Sequence, residues 1–332
     1  MDNGNGSVIL VGVGSYVPAR VLTNADLAKM VDTTDEWIRT RTGIRERRIA
    51  EPGETTSDMA VKAAQEAIKC AGIRADEIEV VVTATITPDL PFPSTSCLVQ
   101  SKLGLRKIPV FDISAACSGF LYSLEIAGNF LRTGRYKYAL VIGAEKLSSI
   151  TNWEDRATCV LFGDGAGAAV LQYVDTPNVG IIGTMLGADG DEAELLSMPA
   201  GGSAKRPSQE TVAAGEHFLK MQGNMVFKSA VRVMAQCAAE TLEKHGLKAS
   251  DIALVVPHQA NNRIIEALSE RLGIGMDRFK INLDRFGNTS AASIPIALDE
   301  AYRNGRIKSG DYILLIAFGA GLTWASTLLK WQ

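Results

Sequence analysis

Two stretches of the chain, AGIRADEIEVVV (71–82) and HGLKASDIALVV (245–256), share a helix-ending glycine, a polar turn and a β-branched apolar run. Gly72 matches Gly246 and Ile78 matches Ile252, each 174 positions apart. Working outward, further pairs appear in the same order. KLGL (102–105) matches RLGI (271–274) at an offset of 169, and FLRTGRYKYALVIGA (130–144) matches AYRNGRIKSGDYILLIAFGA (301–320) with Gly134 and Gly305 offset by 171. Gly12 in VILVGVG and Gly183 in VGIIGT also lie 171 apart. Ordered correspondences at nearly constant offset mark a duplication of about 170 residues. The length of 332 residues suits two domains or one large α/β unit. The repeat makes it both, with one half over 1–175 and a related half over 176–332.

Each half alternates helix and strand. Ser57 is placed to cap a helix through Ala71, with Met59, Ala63, Ala67 and Ala71 on one face and Gly72 as its stop. EVVVTAT (79–85) follows as a short buried strand. In the second half a helix carrying Val226, Ala230, Val233 and Cys237 ends near Gly246 and feeds the strand ALVVP (253–257). This alternation predicts an α/β fold with layered sheets, mainly parallel pairing and a pseudo-twofold relation between the halves. A cleft between the halves is the expected place for a site.

Composition removes several classes of function. With 34 basic and 37 acidic residues, the net charge of −3 argues against a nucleic-acid binder. The five cysteines (Cys70, Cys97, Cys117, Cys159 and Cys237) are odd in number, far apart and without a C-x-x-C, so neither a disulfide framework nor a zinc site is indicated. A reducing, cytoplasmic setting is the expectation, because MDNGNGSVILVGVGS has neither a basic region nor an unbroken apolar core. Residues 312–329 carry no charge, but the FGAG in their middle predicts a buried strand pair rather than a membrane span. GVGSYV (12–17) lacks the third glycine of a dinucleotide fingerprint, and GDGAGA lacks the lysine of a P-loop.

Chemistry is expected where the halves differ at matching positions. Adding 171 to Cys117 reaches Asn288, and adding 174 to Ala84 reaches His258. Cys117 sits where an apolar strand (Val110–Ile113) runs through small residues into a helix holding Leu121, Leu124 and Ile126. A helix N-terminus there would favour the thiolate; the alternative is a buried structural cysteine. His258 follows a strand stopped by Pro257, whereas His245 reads as a solvated helix end and His217 has no supporting residues. Asn288 lies in a turn-like GNTSAAS and could be turn chemistry alone. Together the three read as a thiol nucleophile and two hydrogen-bond donors aimed at a carbonyl oxygen.

DISAACSGF, VPHQANNRI, GNTSAAS, FGDGAGAAV (162–170) and FGAGLTWAS (318–326) closely resemble the β-ketoacyl-acyl-carrier-protein synthase III family over nearly the whole chain. The resemblance implies the thiolase-like fold, a duplicated, layered αβαβα architecture. It also implies an acyltransferase that starts fatty-acid synthesis. A short acyl group, acetyl above all, passes from coenzyme A to Cys117, and malonyl-acyl-carrier protein then loses CO₂ and attacks the thioester. Coenzyme A is a substrate, and no cofactor or metal is implied. His258 and Asn288 would bind the malonyl thioester oxygen, while the backbone N–H groups of Cys117 and Ala320 would form an oxyanion hole. Ala320 stands where many members have glycine.

The same resemblance assigns coenzyme A contacts to Trp37, Arg41 and Arg156; without it, the Arg-rich WIRTRTGIRERR (37–48) reads equally as a solvated basic face. It assigns the acyl pocket to Phe92, Leu147 and Leu161, with Phe92 reaching across a homodimer to shorten the partner's pocket. Carrier-protein docking falls to Lys228, Gln259, Ala260, Asn261, Asn262, Arg263 and Arg271. Glu270 departs from a position often basic in the family, which would weaken or shift that patch. Rival readings are a thiolase-fold synthase for longer or aromatic acyl groups, a cysteine thioester hydrolase in which His258 activates water, and a non-catalytic acyl-binding module.

Overall fold

The structure is a computed structural model that describes residues 6–332; Met1–Asn5, where the segment read as lacking a leader begins, lie outside the described residues. The first sheet contains β1 (Ser7–Tyr16), β2 (Val80–Ala84), β3 (Val110–Ile113), β4 (Tyr138–Lys146) and β5 (Asp164–Val174), ordered β1-β5-β4-β2-β3. The second contains β6 (Gly180–Ala188), β7 (Ile252–Pro257), β8 (Tyr312–Gly319) and β9 (Thr323–Lys330), ordered β6-β9-β8-β7. The two orders are the same pattern. Val81 pairs with Leu140 and Val110, as Val255 pairs with Leu314 and, through an isolated bridge, Phe279. Gly12 pairs with Val170 as Gly183 pairs with Leu328.

Pairing is mixed rather than mainly parallel, which corrects the expectation above. Only β2–β3, β2–β4 and β7–β8 run parallel; β1–β5, β4–β5, β8–β9 and β6–β9 are antiparallel. Parallel neighbours need a crossover, and helices supply one only between β2 and β3, between β3 and β4, and between β7 and β8. The uncharged stretch 312–329 forms the β8–β9 hairpin as expected, and no helix among the described residues is long and apolar enough to cross a membrane.

Helices fill three layers around the sheets. The principal ones are α1 (Asp35–Thr42), α2 (Thr56–Ala71), α3 (Thr95–Leu103), α4 (Gly119–Arg132), α5 (Gly223–Lys244), α6 (Asn262–Leu272) and α7 (Ser293–Arg303). Met59, Ala63 and Ala67 of α2 pack with Val99 of α3 against Val81, Leu140 and Val170, covering the outer face of the first sheet. Ala230 and Met234 of α5 and Ile265 and Leu268 of α6 do the same for Val255, Leu314 and Leu328 of the second. Between the sheets lie α4 and α7, whose Leu121, Leu124, Ile294 and Leu298 meet Val82, Val256 and Leu315. The result is the layered αβαβα order. The cap of α2 differs from the sequence reading: Thr55 accepts from the Asp58 N–H while Asp58 accepts from the Thr55 N–H. Ser57 is inside the helix, with its N–H and hydroxyl both bonded to Asp89. A reciprocal box satisfies two free helix donors, so it outcompetes a single hydroxyl cap two residues on.

The central helices start alike. Ala116 (φ 45°) and Ser290 (φ 47°) are both left-handed, and each opens a single 3-10 turn leading into α4 or α7. They are 174 positions apart, which sets Cys117 opposite Ala291. The match of Cys117 with Asn288 is therefore corrected. Val110 and Phe279 differ by 169, so the second half gains five residues before its turn, and at the turn's offset Asn288 matches Ser114 instead.

The repeated glycines of β1 and β6 make a test of packing. A Cβ on Gly12 would stand 2.3 Å from the Ala67 carbonyl oxygen and 2.5 Å from the Ala71 nitrogen, both backbone; one on Gly183 would meet only the His245 ring. Gly12→Ala should cost about 1–3 kcal/mol, seen as a lower urea midpoint, and Gly183→Ala should cost less because the ring can turn away. Equal midpoints for the two variants would contradict this packing.

Candidate active site

Cys117 is held by its turn rather than by its own side chain. The 3-10 turn Ala116–Ser118 follows β3 and runs directly into α4, and the loop Gly319–Thr323 closes over it. Gly319 lies so close that a Cβ there would be 2.6 Å from the Cys117 nitrogen. Thr323 ties the two pieces together: its hydroxyl donates to the Ala115 carbonyl at 3.0 Å, and its own carbonyl accepts from Ser118 Oγ at 3.1 Å. Neither the Cys117 N–H nor the Ala320 N–H donates to a backbone acceptor among the described residues, so both remain available for a ligand oxygen.

His258 and Asn288 enter the same cavity, of about 750 Å³, from other elements. The His258 N–H extends the β7–β8 ladder by donating to the Ile316 carbonyl at 2.8 Å. Its ring is buried, with Nδ1 2.7 Å from Ser293 Oγ, and burial pushes the imidazole down to about 3. It is therefore neutral. Ser293 Oγ also accepts from the Gln259 N–H at 3.4 Å; in the tautomer in which its hydroxyl donates to Nδ1, the ring proton sits on Nε2. Asn288 is fixed with equal economy. Its backbone bonds Leu161 and Gly163, and its Oδ1 accepts from the Ser290 N–H at 2.9 Å, so its Nδ2 is the free, donating end. Two oriented donors and a thiol thus meet in one apolar-walled space.

The thiol itself departs from expectation. Burial pushes Cys117 up to about 12, outweighing the hydroxyl of Ser290, and the charge of nearby Glu145 pushes the same way. The expected thiolate at the α4 N-terminus is absent from the resting site because desolvation in a closed pocket exceeds a helix-end contribution of about 0.3–1 kcal/mol.

Other expected residues sort clearly. Trp37 and Arg41 line the cavity mouth, and the Arg156 guanidinium stacks 5.0 Å above the Trp37 ring. Leu147 and Leu161 line the wall, but they belong to a wider apolar cluster with Phe162, Leu219, Ile86, Ile150, Leu196 and Met221. Those partners come from loops and from a two-residue ribbon pairing Leu196–Ser197 with Lys220–Met221, all too short to show periodicity, and the sequence reading missed them. Phe92 is 84% exposed and touches no part of this cavity in its own chain. Lys228, Arg263 and Arg271 are exposed, with Arg232 one turn beyond Lys228 on α5 as an unpredicted addition. Ala260 lines the cavity. Gln259 is corrected: it is 1% exposed and joins the Pro257 and Lys280 carbonyls to the Asn282 N–H, so it braces the His258 loop instead of facing a partner. Asn261 caps α6 and donates to the Arg41 carbonyl, and Asn262 donates to Glu266.

The resting state of the thiol can be read directly. Ultraviolet thiolate absorbance, taken as the difference from Cys117→Ala, should stay flat from about pH 6 to pH 9. A sigmoidal rise centred below about pH 8 would contradict burial as the dominant influence.

Comparison with known proteins agrees with this geometry. Residues 111–190 match the model of 3-oxoacyl-[acyl-carrier-protein] synthase III, and residues 242–331 match the model of that enzyme's C-terminal part. The β-ketoacyl-[acyl-carrier-protein] synthase III of Caldanaerobacter subterraneus is 56% identical over 323 residues, covering 97% of each chain. The crystal structure of 3-oxoacyl-[acyl-carrier-protein] synthase III from Aquifex aeolicus superposes with a TM-score of 0.90 at 49% identity, covering 98% of this chain and 100% of that one. A priming β-ketosynthase of a polyketide pathway is similar at 39% identity and TM-score 0.91, covering 98% of this chain and 97% of that one. With its cysteine, histidine and asparagine gathered at the junction of two duplicated halves, the chain belongs to the β-ketoacyl-acyl-carrier-protein synthase III family.

Proposed function

We propose that the protein condenses a short acyl-CoA, acetyl-CoA first, with malonyl-acyl-carrier protein to give the 3-ketoacyl-carrier protein that starts fatty-acid synthesis. The observation that carries this reading is that Cys117, a neutral buried His258 and an Asn288 whose Nδ2 is left free to donate line one cavity. In the first half-reaction Cys117 Sγ attacks the acyl carbonyl and the coenzyme A thiol leaves. The Cys117 and Ala320 N–H groups receive the oxyanion that develops on the acyl oxygen.

In the second half-reaction the malonyl thioester oxygen faces His258 and Asn288. Loss of CO₂ puts enolate charge on that oxygen, and the two donors stabilise it without a metal or a proton transfer. The carbanion carbon then attacks the Cys117 thioester and releases the thiol. His258 supports synthesis over hydrolysis, because an imidazole that burial holds down at about 3 is too weak a base to activate water.

Substrate recognition extends outward. Trp37 offers a planar face for a nucleotide base, and Arg156, already stacked on that face, parts from it or sandwiches the base. The apolar cluster around Leu147 and Phe162 takes the primer, each buried methylene adding about 0.8 kcal/mol until the space is filled. Phe92, with Leu90 exposed beside it, is placed to meet a second copy of the chain and close that copy's pocket. Lys228, Arg232, Arg263 and Arg271 form the basic approach for an acidic carrier protein.

Labelled acetyl-CoA with malonyl-carrier protein should yield labelled acetoacetyl-carrier protein; free acetate would favour the hydrolase, and no turnover a binding module. His258→Ala and Asn288→Ala should each lower condensation by about 10²–10³-fold while the label still loads onto Cys117. Equal loss of loading and condensation would contradict donors that serve the malonyl oxygen.

A further inference from the structure

Acyl transfer requires that the Cys117 thiol lose its proton, and the cavity holds no evident acceptor. Among its lining residues only Arg41, Arg263, Cys117 and His258 are titratable. The arginines are permanent cations, and burial holds the His258 imidazole down at about 3, too weak a base to take a thiol proton. A base must therefore lie behind the lining.

Glu145 is a carboxylate so placed. It is the penultimate residue of β4, with no exposed surface, and its side-chain partners among the described residues are neutral donors. Thr87 Oγ1 accepts from the Lys146 N–H at 2.8 Å, so its proton goes to Glu145 at 2.5 Å. Thr85 Oγ1 accepts from the Thr87 N–H at 3.1 Å and likewise donates to Glu145 at 3.2 Å, while the Ile86 N–H adds a third contact at 3.1 Å. This cradle is built to hold a negative charge without an ion pair, an expensive arrangement for a purely structural carboxylate. Ser290 belongs to a turn packed against both β4 and the Cys117 turn; its buried hydroxyl lines the cavity with no hydrogen-bond partner and pulls the pKa of both Cys117 and Glu145 downward. The strand carries the geometry: a Cβ on Gly143 would lie 2.3 Å from the Ala291 carbonyl, so β4 runs directly against the Ser290 turn.

We propose that Ser290 and Glu145 form the proton path for acyl transfer, with the Ser290 hydroxyl taking the Cys117 proton as its own passes to the Glu145 carboxylate. Sγ bonds to the acyl carbon as the carbon–sulfur bond to coenzyme A breaks, and the departing thiolate recovers the proton by the reverse path. The balance is one acyl-CoA and one thiol giving one acyl-cysteine and one coenzyme A thiol. The inference rests on Cys117 being the nucleophile. Burial lifts Glu145 to about 7, which suits a base working near neutral pH.

The test is the rate of Cys117 acetylation by acetyl-CoA alone, followed by rapid quench and peptide mass spectrometry across pH. The wild-type rate should rise as pH passes through about 7, where Glu145 ionises. Ser290→Ala should be slower by about 10²-fold. Glu145→Gln should be slow too and lose the rise. A role through charge alone gives the opposite sign: removing the carboxylate would lower the thiol pKa and speed acetylation. Faster or unchanged Glu145→Gln, or Ser290→Ala at the wild-type rate, overturns the path. If Glu145→Gln does not fold, Ser290→Ala decides. A wild-type enzyme that gains no acetyl on Cys117 overturns the nucleophile assignment itself, and the path with it.

Discussion

The contact on which the site depends is between two backbones, the Cys117 turn and the loop at Gly319. No side-chain atom fits between them. Thr323 fastens the loop to Ala115 and Ser118, so the two free N–H groups of Cys117 and Ala320 stay near each other and unpaired. The oxyanion hole we propose is made of main chain and is rigid only if both segments are anchored, and each anchor is a central element: α4 on one side, the β8–β9 hairpin on the other. The same logic explains the left-handed Ala116 and Ser290, which turn the chain sharply enough to bring two helix starts into one space. Backbone strain of this kind is held by the surrounding packing.

Electrostatically the site is quiet. His258 is neutral, Cys117 is protonated, and the donors around them are fixed dipoles. Such an arrangement suits a reaction whose charge exists only transiently, on a tetrahedral oxygen and then on an enolate, because preoriented donors need little reorganisation when the charge appears. The cationic residues lie outside, at Trp37 and along α5 and α6, where they act on the approach of anionic partners.

Much of this was legible in the chain. The glycine that ends α2 at Gly72 and the one at Gly246 are local signals, and their repetition exposes the duplication and hence the layers. Cys117, His258 and Asn288 sit in long local motifs, and the fold brings them to one cavity. What escaped was set by tertiary contact. The mixed strand pairing depends on which loops lack a crossover. Gln259 faces inward because the loop folds over Lys280 and Asn282, which adjacency in sequence does not show. The raised thiol arises from enclosure by residues more than 100 positions away, such as His258, Asn288 and Phe318, and no local spacing encodes it. The repeat argument for Asn288 fails, because the two turns align at an offset of 174 and set it against Ser114 rather than Cys117.

The central claim is that close backbone approach at Gly319 sets the Cys117 nucleophile. Gly319→Ala tests it most directly, read as the extent of acetyl loading on Cys117 alongside the unfolding midpoint. The account predicts a folded protein whose loading falls by about 10-fold or more, the size expected when one preorganised donor is displaced. A folded variant that loads acetyl at the wild-type rate would contradict it.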